Sequence, residues 1–487
     1  MNALASFDKL SMMMDFYSSA ATANAFRGEG ADEAICWFDL SFRKTPELGG
    51  FCITAGLQQV ADILENLHFT EEELSYLASQ GCPKSFLDYL GTFRFSCDIW
   101  AVPEGTPVFA GEPVLKVRGP AVQAQLIETI LMQTMNHETL IATKANRIVR
   151  AAQGRRVVEF GARRAQGATA AMQGARAAYI GGCSATTCAK SAMAYGIPHF
   201  GSMTHNYIQM FDSEYEAFRA YAEAFPDNCV LLIDTYSTLH SGLPNAIRVF
   251  NEVLLPRGKR PVGVRLDSGD LAYLSKKVRR ILNEAGFPDC DIIASNSLDE
   301  QIIREMVQHG ARVDTFLVGE KLITSSTAPV FPGVYKLTAT EKSGEIKPVI
   351  RLSENVEKIT TPCPKLLWRL FDMETGKAIA DLMTTEDEDI SACRSYRLFD
   401  PDYTWKQKEV ENFVARQLLT PFFKDGKCVY RFPALKEVRD YCMQQVDSLW
   451  EEVLRFEYPH NYYVDLSQKL WDIKNNLIQT MRGRNAE

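Results

Sequence analysis

The sequence lacks the features that would assign it to a membrane, to the cell exterior or to a zinc-binding class. Its apolar runs stay far below the ~20 residues that a membrane helix needs. No basic start followed by an apolar core opens the chain, so a secretion signal is not expected. The 12 cysteines include no CxxC pair, which disfavours a zinc site. We therefore expect a cytoplasmic protein with reduced, buried thiols and no membrane partner.

The sequence also lacks an excess of basic residues. The 487 residues carry a net charge of −8, which argues against broad nucleic-acid binding. Basic residues nevertheless concentrate in one stretch, where Glu159 is the only acid. This cationic island predicts a small polyanionic ligand, although a solvated helix face would give the same pattern. Its members are Lys144, Arg147, Arg150, Arg155, Arg156, Arg163, Arg164, Arg176 and Lys190.

A strand-then-helix pattern recurs in the middle of the chain at intervals of about 25–35 residues. Buried apolar strands joined by helices predict a parallel sheet. A (β/α)₈ barrel and an open doubly wound sheet both fit, and the lack of a G-x-G-x-x-G after the first strand favours the barrel. The apolar runs that predict strands are 156–161, 229–234, 261–267, 290–296 and 313–319.

The strand-then-helix pattern sets the predicted domain boundaries. Residues 126–345 are assigned to an irregular α/β barrel that carries the catalytic site. Residues 1–125 and 346–487 do not repeat the pattern, so these N- and C-terminal segments are expected to build one flanking α/β domain. Within the barrel, Ser297 and Glu300 form an S-x-x-E pattern that predicts a capping box at a helix start.

Polar residues follow the predicted strands at the points where the strands end. Glu159, Asp234, Asp267 and Asn296 occupy these positions. In a parallel barrel the carboxyl ends of the strands share one rim, and active sites lie there. The sequence therefore predicts that these side chains meet.

Two strings place reactive groups beside this rim. His205 follows Gly201 near a predicted helix start, where it could act as a nucleophile or an acid–base group, or form a structural hydrogen bond. In the string Val262–Asp270, Arg265 could bind a phosphate and Asp267 a Mg²⁺ ion or a sugar hydroxyl. An ion pair beside a helix N-cap would also explain this string.

Three further strings predict anion or ring binding. Phe160 could stack on a planar ring or belong to the core, and Arg163 and Arg164 could bind anions. The hydroxyl-rich stretch 181–187 and the stretch 318–326 after a late strand could each cradle a phosphate or form a plain loop. Together these features indicate a phosphorylated substrate with a metal ion.

The strings, in this order, resemble the nicotinate phosphoribosyltransferase family. The resemblance extends from about residue 10 to about residue 470, and an ordered series is far more specific than any single motif. The matching strings are DFY from Asp15, FR from Phe42, EFGARRAQG from Glu159, GSMTH from Gly201, DTYSTLHSGLPN from Asp234, VGVRLDSGD from Val262, ASNSLDE from Ala294, PGVYKL from Pro332 and YPHNYYVDLS from Tyr458.

The resemblance implies a type II phosphoribosyltransferase fold, an irregular barrel with a flanking α/β domain, in homodimers whose active sites are shared. The implied reaction joins nicotinate to 5-phosphoribosyl-1-pyrophosphate. It implies ATP as a co-substrate, Mg²⁺ as the cofactor and no organic prosthetic group. ATP hydrolysis would pass through a phosphorylated histidine, and His205 matches its position.

The resemblance also implies roles for individual residues. Phe160 and Tyr17, the latter from the neighbouring subunit, would sandwich the pyridine ring. The groups facing the base, the ribose, the pyrophosphate and Mg²⁺ would be Arg163, Arg265, Asp234 and Asp267, with Thr187, Gly319 and Thr324 lining phosphate sites.

Two alternatives remain open. Related nicotinamide-using enzymes carry an aspartate that would correspond to the stretch 181–187, which has no acid here, so a carboxylate substrate is favoured. A non-catalytic homologue that only binds pyridine compounds would be expected to lack the histidine or the rim aspartates, and this chain has both.

Overall fold

The computed structural model describes residues 10–16, 22, 25, 34–355 and 358–484. Tyr17 lies outside these residues. The contacts divide the chain into two compact units. Unit 1 comprises Met1–Leu140, Val330–Ala434 and Tyr441–Glu487, and unit 2 comprises Ile141–Pro329 and Leu435–Asp440.

The strands and helices are numbered in chain order. The strands are β1 (Ile35–Phe42), β2 (Cys52–Ile53), β3 (Asp98–Ala101), β4 (Pro107–Val108), β5 (Leu115–Pro120), β6 (Arg156–Glu159), β7 (Ala185–Thr186), β8 (Val230–Leu232), β9 (Gly263–Leu266), β10 (Asp291–Ala294), β11 (Thr315–Val318), β12 (Gly333–Lys342), β13 (Glu345–Pro348), β14 (Lys365–Asp372), β15 (Ala378–Thr385), β16 (Ser395–Phe399), β17 (Gln407–Glu411), β18 (Phe413–Gln417), β19 (Thr420–Lys424), β20 (Lys427–Cys428) and β21 (Val464–Leu466). The α-helices are α1 (Leu57–Glu65), α2 (Glu71–Ser79), α3 (Lys84–Gly91), α4 (Ala121–Leu126), α5 (Glu128–Ala151), α6 (Ala168–Ile180), α7 (Ala189–Tyr195), α8 (His205–Gln209), α9 (Glu214–Ala224), α10 (Leu243–Val249), α11 (Leu271–Glu284), α12 (Glu300–Gln308), α13 (Glu320–Ile323), α14 (Leu435–Asp447) and α15 (Gln468–Arg484). Shorter 3₁₀ or π turns are Pro46–Leu48, Ala162–Arg164, Thr238–Gly242, Phe250–Leu254 and Leu255–Arg257.

Unit 2 is built on a six-stranded sheet in the order β7-β6-β11-β10-β9-β8, in which all neighbouring strands are parallel. Every residue of β9 and of β11 is buried, as expected for strands covered on both faces. In the described part of the chain no ladder joins β7 to β8, so the sheet is a half-barrel rather than a closed ring. The predicted α/β barrel class is confirmed in this open form.

The interior of the half-barrel is apolar. One buried side chain from each of five strands meets there, and Phe160 packs against the group. Because β-strands alternate their side chains between faces, a single apolar position per strand is enough to form this layer. The five residues are Val158, Ala185, Val230, Ile293 and Leu317.

Aspartates start the helices that follow β9 and β10. Asp270 caps α11 by accepting a hydrogen bond from the Tyr273 N–H at 2.9 Å. Asp299 caps α12 in the same way, with the Ile302 N–H at 2.8 Å. The capping box predicted at Ser297 is therefore wrong, since that residue lies in a turn before the cap.

The Asp270 cap leads to a first prediction. Asp270→Ala leaves the Tyr273 N–H without its partner and should lower stability by about 1 kcal/mol. The melting temperature of unit 2, followed by scanning calorimetry, measures this loss. Asp270→Ser keeps a capping oxygen and should melt close to wild type, whereas equal melting of the alanine and wild-type proteins would contradict the cap.

Unit 1 combines both ends of the chain in an antiparallel seven-stranded sheet, in the order β13-β12-β1-β5-β3-β19-β20. A second sheet, β18-β14-β15-β21, contains the Arg369–Asp381 ion pair, whose two side chains are fully buried. Arg369 Nε donates to Asp381 at 2.8 Å, and such a pair is costly to break because each charge needs the other. The flanking α/β unit predicted from the terminal segments is thus present.

Two expectations from composition can be compared with the described residues. None of their helices has both the length and the apolar character needed to cross a membrane. Eight of the 12 cysteines are buried, and Cys82, Cys188, Cys393 and Cys428 are partly buried; the reduced state of the thiols stays a prediction. Burial raises the pKa of Cys229 to about 12, and a thiol that stays protonated is a poor nucleophile.

Candidate active site

The carboxyl ends of the parallel strands bring the predicted residues to one rim. The ladder continues past the strands, because the Ile233 N–H donates to Arg265 O at 3.1 Å and the Phe160 N–H to Val318 O at 2.8 Å. The residues that follow each strand therefore lie side by side. In sheet order they are Thr187, Phe160, Gly319, Ser295, Asp267 and Asp234.

Asp267 and Arg265 form the centre of this rim. Arg265 is only 4% exposed, and its Nη2 lies 3.1 Å from Asp267 Oδ1. Its Nε donates to Ser295 Oγ at 2.9 Å, and Ser295 in turn donates to Asp267 Oδ1. A buried guanidinium held by a carboxylate and a hydroxyl keeps a fixed orientation, which suits the binding of an anion.

His205 faces Asp267 from the start of α8. Its Nε2 lies 3.5 Å from Asp267 Oδ2, and its Nδ1 lies 3.1 Å from Thr235 Oγ1. The side chain is 40% exposed, so solvent and a ligand can reach it. The arrangement fits an orienting role for Asp267 and Thr235 and leaves the imidazole accessible to a reactant.

Asp234 supports Asp267 from the neighbouring strand. Its Oδ2 accepts the Asp267 N–H at 2.8 Å and the Ser268 hydroxyl at 2.6 Å. Its Oδ1 is buried and has no hydrogen-bond partner within the described residues. An unpartnered carboxylate oxygen in a buried position is costly, which points to a ligand or a cation there.

Phe160 carries two guanidinium groups beside its ring. The Cζ atoms of Arg163 and Arg265 each lie 5.1 Å from the ring centroid, within the range of a cation–π contact. Arg163 is exposed, whereas Arg265 is buried and held by Ser295 and Asp267. An aromatic surface between two cations matches the shape and charge of an aromatic carboxylate.

Glu159 lies beneath this surface. Burial raises the pKa of its carboxyl group, while hydrogen bonds from Thr186 and from the Gly161 N–H lower it. The Thr186 hydroxyl donates to Glu159 Oε2 at 2.6 Å and accepts the Cys188 N–H at 3.0 Å. Glu159 therefore ties β6 to the loop after β7 and does not face the opening of the site.

The predicted phosphate loops have different surroundings. Thr187 lines a cavity of about 700 Å³ together with Gly201 and Ser202, so two of the predicted loops meet. A Cβ atom at Gly319 would lie 2.9 Å from Phe160 O, which gives this glycine a packing reason independent of any phosphate. The Thr324 hydroxyl donates to Glu320 O at 2.7 Å.

The last two predicted residues lie at the edge of the site. Arg164 is 3.7 Å from Glu320, and because both side chains are more than half exposed the pair contributes little. Asn296 is exposed at the end of β10 with a φ of 105°, a backbone conformation that side chains rarely adopt. The roles of both residues stay predictions.

The nine basic residues of the cationic island do not all lie at one place in the structure. The prediction that they bind an anionic ligand is therefore wrong for several of them. Lys144 and Arg147 form buried ion pairs with Glu300, at 2.9 and 3.0 Å. Arg155 and Arg156 lie at the amino end of β6, whereas the rim lies at its carboxyl end. The periodicity of the sequence could not separate these groups, because Arg156 and Arg163 are close along the chain but at opposite ends of a strand.

Sequence reasoning did not select the hydroxyl groups that connect the site. Thr235 contacts His205, Ser295 bridges Arg265 and Asp267, and Ser202 accepts from Arg265 Nη1 at 3.4 Å. All three residues belong to strings that had been singled out. Only the neighbouring strands identify them as partners, since each contact spans about 30 residues or more.

Three family models match the chain in succession. The quinolinate phosphoribosyl transferase C-terminal domain matches residues 141–330, which cover the half-barrel of unit 2. The nicotinate phosphoribosyltransferase N-terminal and C-terminal domains match residues 12–136 and 364–474. All three models describe phosphoribosyltransferases, and this is the class of protein to which the half-barrel and the terminal segments are similar.

Proteins that are similar over nearly the whole chain identify the family within this class. A nicotinate phosphoribosyltransferase of Bacillus subtilis is 41% identical over 483 residues, covering 99% of this chain and 97% of the relative. The crystal structure of human nicotinic acid phosphoribosyltransferase has a TM-score of 0.82 at 27% identity, over 95% of this chain and 99% of that one. The chain belongs to the nicotinate phosphoribosyltransferase family.

A third similarity concerns the fold alone. The crystal structure of a nicotinate-nucleotide pyrophosphorylase from Pyrococcus furiosus has a TM-score of 0.70 at 23% identity. It covers 92% of this chain and 98% of that one. The combination of a half-barrel with a flanking unit is therefore shared beyond the most similar sequences.

Proposed function

We propose that this protein is a nicotinate phosphoribosyltransferase that makes nicotinate mononucleotide and pyrophosphate from nicotinate and 5-phosphoribosyl-1-pyrophosphate, for NAD biosynthesis. The observation that carries the proposal is the rim itself, where Phe160 stands beside two guanidiniums and His205 faces Asp267. Family membership supports the same reaction.

The base would bind against Phe160. The pyridine ring would stack on the aromatic side chain while the carboxylate meets Arg163 or Arg265. The loop Gly181–Thr187 contains no acid that would accept a hydrogen bond from an amide. The loop has no carboxylate that would repel the carboxylate of nicotinate, and two cations lie beside the ring site. This distribution of charge favours nicotinate over nicotinamide.

The reaction is a displacement at C1 of the ribose. The lone pair of the pyridine nitrogen forms the new C1–N bond, and the electrons of the C1–O bond leave with pyrophosphate. Positive charge develops on the sugar, so carboxylates at the rim stabilise it and cations stabilise the leaving group. Asp234 and Asp267 supply the negative groups and Arg265 a fixed positive group.

Mg²⁺ fits the donors that are present. The buried, unpartnered Oδ1 of Asp234 and the Oδ2 of Asp267 are hard oxygen ligands. No cluster of three or more acidic, histidine or cysteine side chains is found among the described residues. Mg²⁺ is commonly held by one or two carboxylates with substrate phosphates completing its shell, and it would neutralise charge on the leaving pyrophosphate.

ATP would act through His205. The γ-phosphoryl group would pass to an imidazole nitrogen with release of ADP, and water would later cleave the N–P bond to give phosphate. A phosphorylated ring cannot keep both its contact with Thr235 and its contact with Asp267. Phosphorylation at Nε2 would free Asp267 Oδ2, and phosphorylation at Nδ1 would free the Thr235 hydroxyl, so either would change the contacts at the rim and couple ATP hydrolysis to the substrate site.

We further propose a homodimer in which Tyr17 of a second copy completes the base site opposite Phe160. A cytoplasmic location, with no membrane or nucleic-acid partner, accords with the net charge of −8 and the free cysteines. Small molecules, namely nicotinate, phosphoribosyl pyrophosphate and ATP, are the partners that the site accounts for.

An assay of the purified protein tests the substrate. With phosphoribosyl pyrophosphate and Mg²⁺, nicotinate should be converted at least about tenfold more efficiently than nicotinamide, as expected from one charge-assisted contact. Arg163→Leu should reduce this preference, and Arg219→Leu, which changes an exposed side chain paired with Glu223, should not. A preference for nicotinamide would refute the assignment of nicotinate as the substrate. Tight binding of nicotinate with no product would indicate a non-catalytic homologue.

A further inference from the structure

A second cationic cavity lies at the amino ends of the parallel strands, at the opposite end of the half-barrel from the candidate active site. Its volume is about 1160 Å³, and three segments of unit 2 line it. Asp314 is the only acid among the lining residues. The basic residues that define this basal cavity are Arg155, Arg156, Lys276, Arg279, Arg280 and Arg312.

Three of these cations are fixed in place by hydrogen bonds to the protein. Arg155 Nε donates to Val313 O at 3.0 Å, and Arg156 Nε donates to the Thr315 hydroxyl at 3.1 Å. Arg279 Nη2 donates to Cys290 O at 2.7 Å and lies 2.9 Å from Asp314. Arg156 also forms an ion pair with Asp291, so two of the three arginines are paired with aspartates and Arg155 is held by backbone oxygens. Their positions do not depend on a ligand.

The other three cations are exposed and weakly engaged. Lys276 and the guanidinium of Arg312 have no ion-pair partner within the residues that the structure describes, and both side chains are exposed. Arg280 lies 3.8 Å from Glu284, and both are more than 60% exposed. Lys276 and Arg280 are four residues apart on α11, so they project from one face of the helix.

Like charges gathered in one cavity repel one another unless an anion enters. Each cation that lacks a partner can form charge-assisted hydrogen bonds to a phosphate, and arginine does so in a bidentate manner. A chain of two or three phosphates carries more charge and more acceptor oxygens than a single phosphate, so it is better suited to cations that come from three segments. The net charge of −8 disfavours a long nucleic acid.

The geometry points to a binding site for a phosphoanhydride chain, such as inorganic triphosphate or the triphosphate of a nucleotide, in the basal cavity. The site is separate from the proposed catalytic site. Arg156 begins β6 and Glu159 ends it, and the cavity and the rim therefore lie about 10 Å apart along one strand. Arg155 and Arg156 of the cationic island, which do not reach the rim, belong to this site.

Calorimetric titration of the whole protein with inorganic triphosphate tests the proposal. The variant Lys276→Gln/Arg312→Gln removes the two cations without partners and should bind one triphosphate fewer per chain than wild type, or bind it at least about tenfold more weakly. The control Lys277→Gln/Arg219→Gln makes the same charge change at two residues that do not line the cavity. It should match wild type.

Repeating the titration with ATP shows whether the cavity binds inorganic triphosphate, a nucleotide or both. Loss of one ATP together with one inorganic triphosphate in the double variant would support recognition of the phosphate chain alone. Equal binding by the double variant and wild type would overturn the site, as would binding of ATP there without any inorganic triphosphate. Activity with nicotinate, measured on the same variants, reports on the proposed reaction independently.

Discussion

Replacing His205 by alanine is expected to abolish the stimulation of product formation by ATP while a basal transfer from phosphoribosyl pyrophosphate remains. His205 is the accessible imidazole at the rim, held by Thr235 and Asp267. Alanine leaves no atom to receive the γ-phosphoryl group, so ADP formation should fall by about 10³-fold or more. Basal transfer should survive because Phe160, Arg265 and Asp267 remain in place.

Initial rates of nicotinate mononucleotide and ADP formation, measured with and without ATP, separate the two effects. A second measurement is the acid-labile, base-stable label left on the protein by γ-labelled ATP, which should disappear in His205→Ala. His309→Ala is the matched control, since that histidine is 70% exposed at the end of α12 and contacts Glu305. Unchanged ATP stimulation in His205→Ala would rule out the proposed phosphorylation.

Five of the six strands of the half-barrel could be predicted from the sequence, because each is a short apolar run followed by a polar residue, whereas the two-residue strand β7 was not predicted. The runs 229–234, 261–267, 290–296 and 313–319 contain β8, β9, β10 and β11. Since parallel strands end at one edge, the polar residue after each run had to lie at the rim. The meeting of Asp234, Asp267 and the residues after β10 followed from this rule alone.

The contacts within the rim could not be predicted in the same way. In the order β7-β6-β11-β10-β9-β8 only β6 and β11 are neighbours in the sheet without being consecutive along the chain, and local pattern does not predict that pairing. The bond from Arg265 to Ser295 depends on β9 pairing with β10 in a particular register. Local pattern carries no information on that register.

Unit 1 shows the same limit more strongly. β1 pairs with β12, so Asp39 stands opposite Lys336 across about 300 residues of chain. Lys365 forms an ion pair with Asp39 at 2.6 Å, and both side chains are buried. From sequence alone a lysine is predicted to lie at the surface. Burial of Lys365 is tolerated because Asp39 supplies the opposite charge, and the sequence does not reveal that pairing.

Asp267 contacts four other residues of the candidate active site. Its Oδ1 receives Arg265 and Ser295, its Oδ2 faces His205, and its N–H donates to Asp234. The charge on this carboxylate therefore orients the buried guanidinium and the imidazole at the same time. Asp270, three residues later, caps α11 by accepting the Tyr273 N–H.

Asp267→Asn keeps the shape of the side chain and removes its charge. We expect kcat/KM for phosphoribosyl pyrophosphate to fall by about 10²–10³-fold, the range for losing one preorganised charged group in an active site. Both basal and ATP-stimulated transfer should decrease, unlike in His205→Ala, because Arg265 loses its counter-charge as well. Asp270→Asn retains the cap and should keep wild-type activity. If Asp267→Asn lost only the response to ATP, the carboxylate would serve the histidine alone, and its proposed part in the displacement at C1 would be excluded.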